Sequence, residues 1–188
     1  MFLSEIICNL PLEPDLSALD QCSTCIFCLD ACSTGVLVEP HMLDSTRCLS
    51  YLTIELKGSI PAPQRDAIAE HAYGCDICQE VCPYNRPAPH SGDAPWQPRS
   101  GLDLPRLVDL WRRSDRDLRS LVKGSAMTRA KLAGLRRNLA VAIGNSGDGD
   151  AIAALRDHDA ERSSIEDPMV QEHIAWAIEQ DSLGGKRT

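Results

Sequence analysis

Nine cysteines stand in this 188-residue chain, at Cys8, Cys22, Cys25, Cys28, Cys32, Cys48, Cys75, Cys78 and Cys82, and none lies beyond position 82. Thiols two and three residues apart read as metal or cluster ligands. A disulfide framework belongs to small exported chains, and Met1 is not followed by a basic stretch and a long apolar segment. The run Cys22-x2-Cys25-x2-Cys28-x3-Cys32 can turn three thiolates toward one iron–sulfur cube and carry the fourth toward a neighbouring cube. A second run, Cys75-x2-Cys78-x3-Cys82-Pro83, has the same tail and lacks its first cysteine, which Cys48 can supply from upstream.

Exchange of the fourth ligands closes the count. Cluster one takes Cys22, Cys25, Cys28 and Cys82; cluster two takes Cys32, Cys48, Cys75 and Cys78. Only Cys8 is left over, and it is expected to be a buried structural thiol. The competing reading is two zinc sites of four thiolates each, but zinc ribbons use two separated C-x2-C pairs, which the triple run fits poorly. The pattern is that of bacterial ferredoxins, with Ser33 after Cys32 where proline is usual and Pro83 kept in the second run. The five histidines show no spacing that suggests a metal and read as surface or core residues.

The elements that must hold these thiols are expected to be short. Asp44 is placed to cap a helix carrying Cys48 and the apolar run Leu49, Leu52, Ile54 and Leu56, stopped by Gly58 and Pro61. A second helix is expected from Pro63 to about Tyr73, with Gly74 as its stop. From Leu102 the pattern is helical, with Asp103, Ser114, Thr128 and Asp167 as candidate caps. Leu132, Leu135, Leu139 and Ile143 mark one buried face of a helix running from Thr128 to Gly144–Asn145. A short helix around Ala151–Arg156 and one holding Val170, Ile174 and Ile178 follow.

The expected architecture is therefore mainly α: a remnant or linker at 1–20, a ferredoxin-like two-cluster module at 21–83, a proline-rich linker at 84–101 and a HEAT-like helical tail at 102–188. Disorder is excluded by a 43% hydrophobic composition, and no run is long and apolar enough to span a bilayer. A cytoplasmic location is expected. Net charge is −8 over residues 1–100, +6 over 101–144 and −6 over 145–188. A basic middle between acidic flanks suggests a local anionic partner.

The residues around the cysteines resemble one family. The segments Arg47-Cys48-Leu49-Ser50-Tyr51-Leu52-Thr53-Ile54-Glu55-Leu56-Lys57-Gly58 and Tyr73-Gly74-Cys75-Asp76-Ile77-Cys78-Gln79-Glu80-Val81-Cys82-Pro83-Tyr84-Asn85 are similar to the epoxyqueuosine reductases. So are Phe2–Ile6, Ile60-Pro61, Arg137–Asn145 and Glu172–Ala177. The resemblance implies kinship with cobalamin-dependent reductive dehalogenases. Electrons would reach cobalamin through two 4Fe-4S clusters, and the epoxide oxygen of epoxyqueuosine in tRNA would be removed. It also implies an N-terminal cobalamin domain, so this chain resembles the C-terminal portion: a fragment, a mis-started frame or half of a split enzyme. The catalytic acid would lie in that other domain.

On this resemblance Ser50, Tyr51, Asp76 and Ile77 are candidate cobalamin contacts. Lys57, Arg129, Lys131, Arg136, Arg137 and Asn138 are candidate contacts to the tRNA anticodon arm. On an ideal helix from Thr128, Arg129 and Arg136 share one edge of the apolar stripe and Lys131 and Asn138 the other. The bland alternative for these cations is a solvated helix face. An external low-potential electron donor and a separate N-terminal cobalamin domain are the further partners implied. Two other functions stay open from the sequence, a stand-alone ferredoxin-like electron carrier and a zinc-bound RNA adaptor.

Overall fold

Cysteines in the first half of the chain sit on turns that are too short to be stable as isolated helices. The structure, a computed structural model, describes residues 4–17, 22, 24–87, 92–93, 97–157 and 160–184. Residues 4–17 are extended and exposed, Cys8 included, so this thiol is not the buried one expected. Helix α1 (Phe27–Ala31) ends at Cys32. An antiparallel hairpin follows, β1 (Leu37–Glu39) with β2 (Met42–Leu43), and Leu37 pairs with Leu43. Asp44 caps a 3-10 turn, Ser45–Arg47, by accepting from the Thr46 N–H, and Cys48 follows it. Helical backbone from Leu49 widens into a π-turn over Tyr51–Glu55. Helix α2 (Ala62–Arg65) continues as a 3-10 turn to Ile68. It stops at Ala69, whose φ is +49°, and so falls short of the expected end near Tyr73. Helix α3 (Ile77–Glu80) lies inside the second cysteine run.

The second half is helical: α4 (Leu107–Trp111), α5 (Asp115–Val122), α6 (Lys131–Ser146), α7 (Gly149–Leu155) and α8 (Pro168–Gly184). Ser114 caps α5 through the Asp117 N–H, and Asp167 accepts from the Met169 N–H at the start of α8. Asp103 caps nothing, since α4 begins later, after Arg106. Asp148 caps α7 instead. Thr128 is no cap either. Residues Ala126–Ala130 form a 3-10 turn and Lys131 takes a φ of +61°, so α6 starts only there. Arg129 therefore does not share a helix with Arg136.

Helix α6 is the axis of the molecule. Ten consecutive residues, Gly134 to Ile143, are buried, which only a helix covered on all sides can manage. Trp111, Leu118, Leu135, Leu139, Ile143, Ile152, Leu155 and Val170 form the larger core. Leu49, Leu52, Ile60 and Ile68 pack with Val141 of α6 and against Trp176 of α8, so the cysteine-bearing segment and the helical half share a second core. Gly144 lets α6 and α8 touch: a Cβ there would lie 2.8 Å from Ala177.

Buried polar groups fix this arrangement. Arg136 donates to the backbone oxygens of Trp111 and Arg113 and to Asp115 at 3.1 Å. Burial pushes the Asp115 carboxyl up, but hydrogen bonds from Ser164 and Arg136 outweigh it and hold the group ionised. His173 Nε2 accepts from the Ile60 N–H at 3.0 Å while Nδ1 faces the Met169 oxygen at 2.6 Å. Both nitrogens are used, and this ring is neutral with its proton on Nδ1.

Candidate metal centre

Two cavities open among the cysteines. One, of about 300 Å³, is lined by Cys22, Cys25, Cys28 and Cys82, together with Phe27 and Tyr84. The other is smaller and is lined by Cys32, Cys48 and Cys75. Cys78, Leu37 and Leu43 border both, so the hairpin leucines form the apolar wall between them. None of the nine cysteines forms a disulfide. Among the described residues no three Cys, His, Asp or Glu side chains converge closely enough to hold a single ion. The thiols ring volumes rather than points, and soft sulfur donors around a volume suit a cluster.

Local hydrogen bonding shapes each ligand turn. Cys32 Sγ accepts from the Val36 N–H at 3.4 Å and lies 3.6 Å from Thr34 Oγ1. Burial pushes this thiol up, yet the bonds from Thr34, Val36 and Leu37 together bring it below the usual cysteine value. Arg47 donates to the Thr34 oxygen and so ties the Cys48 segment to the Cys32 turn. Cys75 is raised, chiefly by burial and then by the nearby thiols of Cys48, Cys78 and Cys32. Four sulfurs from three separated segments therefore face one another around the smaller cavity. Gly74, at a φ of +72°, makes the turn into Cys75 that a side chain would strain. The Ser33 hydroxyl bonds the Ala67 oxygen, a tie to the 3-10 turn that a proline at 33 could not make.

Of the candidate cobalamin contacts, Ile77 lines this cavity, and Ser50 is tied to the Cys75 backbone beside it. Ser50 Oγ accepts from the Cys75 N–H at 3.0 Å and donates to the Cys75 oxygen at 3.1 Å. That joins Tyr51, which is exposed, to the turn bearing exposed Asp76 and half-buried Ile77.

The candidate tRNA contacts divide sharply. Arg136, Arg137 and Asn138 are fully buried and cannot meet a phosphate, which corrects the expectation for all three. Arg137 donates to the oxygens of Leu52, Leu56 and Gly58, and Asn138 to those of Thr53 and Ala72. Among the described residues no carboxylate pairs with Arg137, and burial pushes it down to about 10. Lys57, Arg129 and Lys131 are exposed. Lys57 Nζ donates to the Arg129 oxygen at 2.9 Å, and Arg129 pairs with Glu55. Beside them lies an apolar hollow of about 350 Å³ over Val122, Met127, Leu132 and Leu135, rimmed by Arg119, Lys123 and Lys131. Sequence reasoning missed this hollow because its rim and floor are assembled from α5, the Ala126–Ala130 turn and α6. His90 and His158 lie outside the described residues.

Residues 21–85 match the 4Fe-4S double cluster binding domain family. The whole chain is 41% identical to an epoxyqueuosine reductase of Shewanella oneidensis and covers 47% of it. An Escherichia coli epoxyqueuosine reductase is 39% identical over 95% of this chain and 46% of its own. The chain is similar to epoxyqueuosine reductases over nearly all of its own length. It spans about half the length of these curated relatives. Among solved structures, the Bacillus subtilis epoxyqueuosine reductase superposes at a TM-score of 0.78 with 32% identity, over 92% of this chain and 45% of that one. An epoxyqueuosine reductase crystallised with an epoxyqueuosine-modified tRNA-Tyr stem loop superposes at 0.73, also at 32% identity and with the same coverage. No described helix is long and apolar enough to cross a membrane.

Proposed function

We propose that this chain is the electron-delivering and tRNA-docking portion of an epoxyqueuosine reductase. The observation that carries the reading is the gathering of eight cysteines around two adjoining cavities, with Cys78 on the border of both. Cys22, Cys25, Cys28 and Cys82 would hold one 4Fe-4S cluster and Cys32, Cys48, Cys75 and Cys78 the other. The clusters, when bound, would supply single electrons at low potential, and cobalamin would supply the reducing centre for the epoxide. Removal of that oxygen as water consumes two electrons and two protons, which suits two one-electron carriers in series.

The chain's own residues have three tasks in this reading. Exposed Phe27 and Tyr84 border the larger cavity and mark the side where an external low-potential donor would approach. Tyr51, Asp76 and Ile77, held together by Ser50, would face the corrin at the smaller cavity. Lys57, Arg129 and Lys131, with the rim cations Arg119 and Lys123, would track the phosphates of the tRNA anticodon arm. The setting would be cytoplasmic, where thiols stay reduced. The helical half would correspond to a HEAT-like tail.

The deciding experiment is iron, acid-labile sulfide and zinc per chain after anaerobic purification. About eight irons and eight sulfides are expected for two cubes. Two zincs without sulfide would overturn the redox reading.

A further inference from the structure

The second cavity collects cysteines from three places in the chain, and two of them, Cys48 and Cys75, stand on segments with little regular structure of their own. What holds these segments is a set of buried and part-buried hydrogen bonds that starts on α6 and reaches the Cys75 turn. Arg137 Nε and Nη2 both donate to Asn138 Oδ1, at 3.0 and 2.8 Å, which fixes the amide's orientation. Asn138 Nδ2 then donates to the Thr53 oxygen at 2.7 Å and the Ala72 oxygen at 3.0 Å, bridging the π-turn to the strand of chain that leads into Cys75. Thr53 Oγ1 accepts from the Gly74 N–H at 2.9 Å and donates to the Leu49 oxygen at 2.7 Å. Ser50 Oγ closes the circuit on both backbone groups of Cys75. The Leu52 N–H returns to the Cys48 oxygen at 2.9 Å, one turn from the Leu52 oxygen that Arg137 holds.

The π-turn is what makes this possible. A turn with i to i−5 bonding, such as Leu56 N–H to the Tyr51 oxygen at 3.0 Å, leaves neighbouring carbonyls without their helical partners. The oxygens of Leu52 and Thr53 are taken by α6 instead. A guanidinium buried with no carboxylate is costly unless its donors are met, and here three backbone oxygens and one amide oxygen meet them.

We propose that Arg137, Asn138, Thr53 and Ser50 are positioning residues for the cluster held by Cys32, Cys48, Cys75 and Cys78, fixing the relative place of Cys48 and Cys75 and with it that cluster's potential. The inference rests on the two-cluster reading. It concerns outer contacts of ligand-bearing backbone, which orient ligands and set solvent access and so tune a metal centre. The first cavity is outside the network, so its cluster is an internal reference.

The test is a reductive titration of the anaerobically purified chain, followed by electron paramagnetic resonance, for Ser50→Ala, Thr53→Val, Thr53→Ser and the cap variant Asp148→Ala. Ser50→Ala and Thr53→Val remove one hydroxyl each and spare every cysteine. In both, one of the two reduction steps is expected to move by at least tenfold in its equilibrium, about 59 mV for one electron. The other step stays in place. Thr53→Ser keeps the hydroxyl and is expected to restore the wild-type potential. Asp148→Ala weakens α7 and is expected to leave both steps unmoved. The network is refuted if both steps and both spectra are unchanged in Ser50→Ala and Thr53→Val, or if both steps move together. A wild-type chain carrying zinc and no sulfide sinks the cluster reading itself, and the two failures are told apart by that metal analysis.

Discussion

Arg137 shows how much depends on where one guanidinium ends up. Its removal leaves the buried Leu52 oxygen without a partner, at about 1–3 kcal/mol, and strips the part-buried oxygens of Leu56 and Gly58 of theirs at a smaller cost. Arg137→Met is therefore expected to lose several kcal/mol of stability, read as a large drop in the denaturation midpoint. Arg129→Ala removes a half-exposed pair with Glu55 and should cost no more than about 1 kcal/mol. If Arg137→Met proved as mild as Arg129→Ala, its buried contacts would be energetically empty. His173 gives a pH signature at the same scale. Burial, aided by Arg65 and Arg137 and opposed by Met169 and Glu172, lowers its pKa. The unfolded chain then binds the proton first, so stability is full above an unfolded value of about 6.5 and falls as pH drops below it, by up to about 1.4 kcal/mol per pH unit. Urea midpoints between pH 8 and pH 5 should show this decline, and His173→Leu should flatten it. An equal slope in that variant would place the proton elsewhere.

Among the secondary-structure elements, the sequence was legible wherever one residue type at one spacing had a single use. The ferredoxin-like runs name the eight cysteines that line the two cavities, because closely spaced thiols in a triple run suit clusters better than zinc ribbons. Ser114 and Asp167 cap the helices they precede, while Asp44 caps only the 3-10 turn before Cys48 and not the expected helix carrying it. The arginines of α6 misled because charge alone does not tell a solvated face from a buried one. A helix covered on every side carries no polar edge, and Arg136, Arg137 and Asn138 serve its contacts to α4 and to the π-turn. The break at Lys131 was hidden as well, since a positive φ at lysine has no sequence signal. Gly144 marks the tightest contact between elements. Gly144→Ala puts a methyl group 2.8 Å from Ala177 and 3.1 Å from the Trp176 ring, and two helix backbones must separate to admit it. The expected cost is about 1–3 kcal/mol, with a matching fall in melting temperature. Gly149→Ala, where nothing lies within 4 Å, is the control and should be near neutral.

For the whole molecule, the charge map and the docking of the two halves point the same way. The acidic cluster segment and the basic middle share a core across α6, so exposed Lys57 from one half lies against Arg129 from the other. A polyanion crossing this seam would touch both halves at once. Phosphate contacts release counterions, and each one lost reduces the salt slope of binding by about one unit. The double variant Lys57→Ala with Arg129→Ala is expected to weaken binding of a tRNA anticodon stem loop and to flatten its salt dependence by about two units, while leaving iron and sulfide content unchanged. Arg136→Met, whose side chain is sealed against Trp111, should leave the slope intact for whatever fraction stays folded. An unchanged slope in the double variant would remove this seam as the docking surface and move the anionic partner to the hollow between α5 and α6. There Arg119→Ala and Lys123→Ala would then carry the loss.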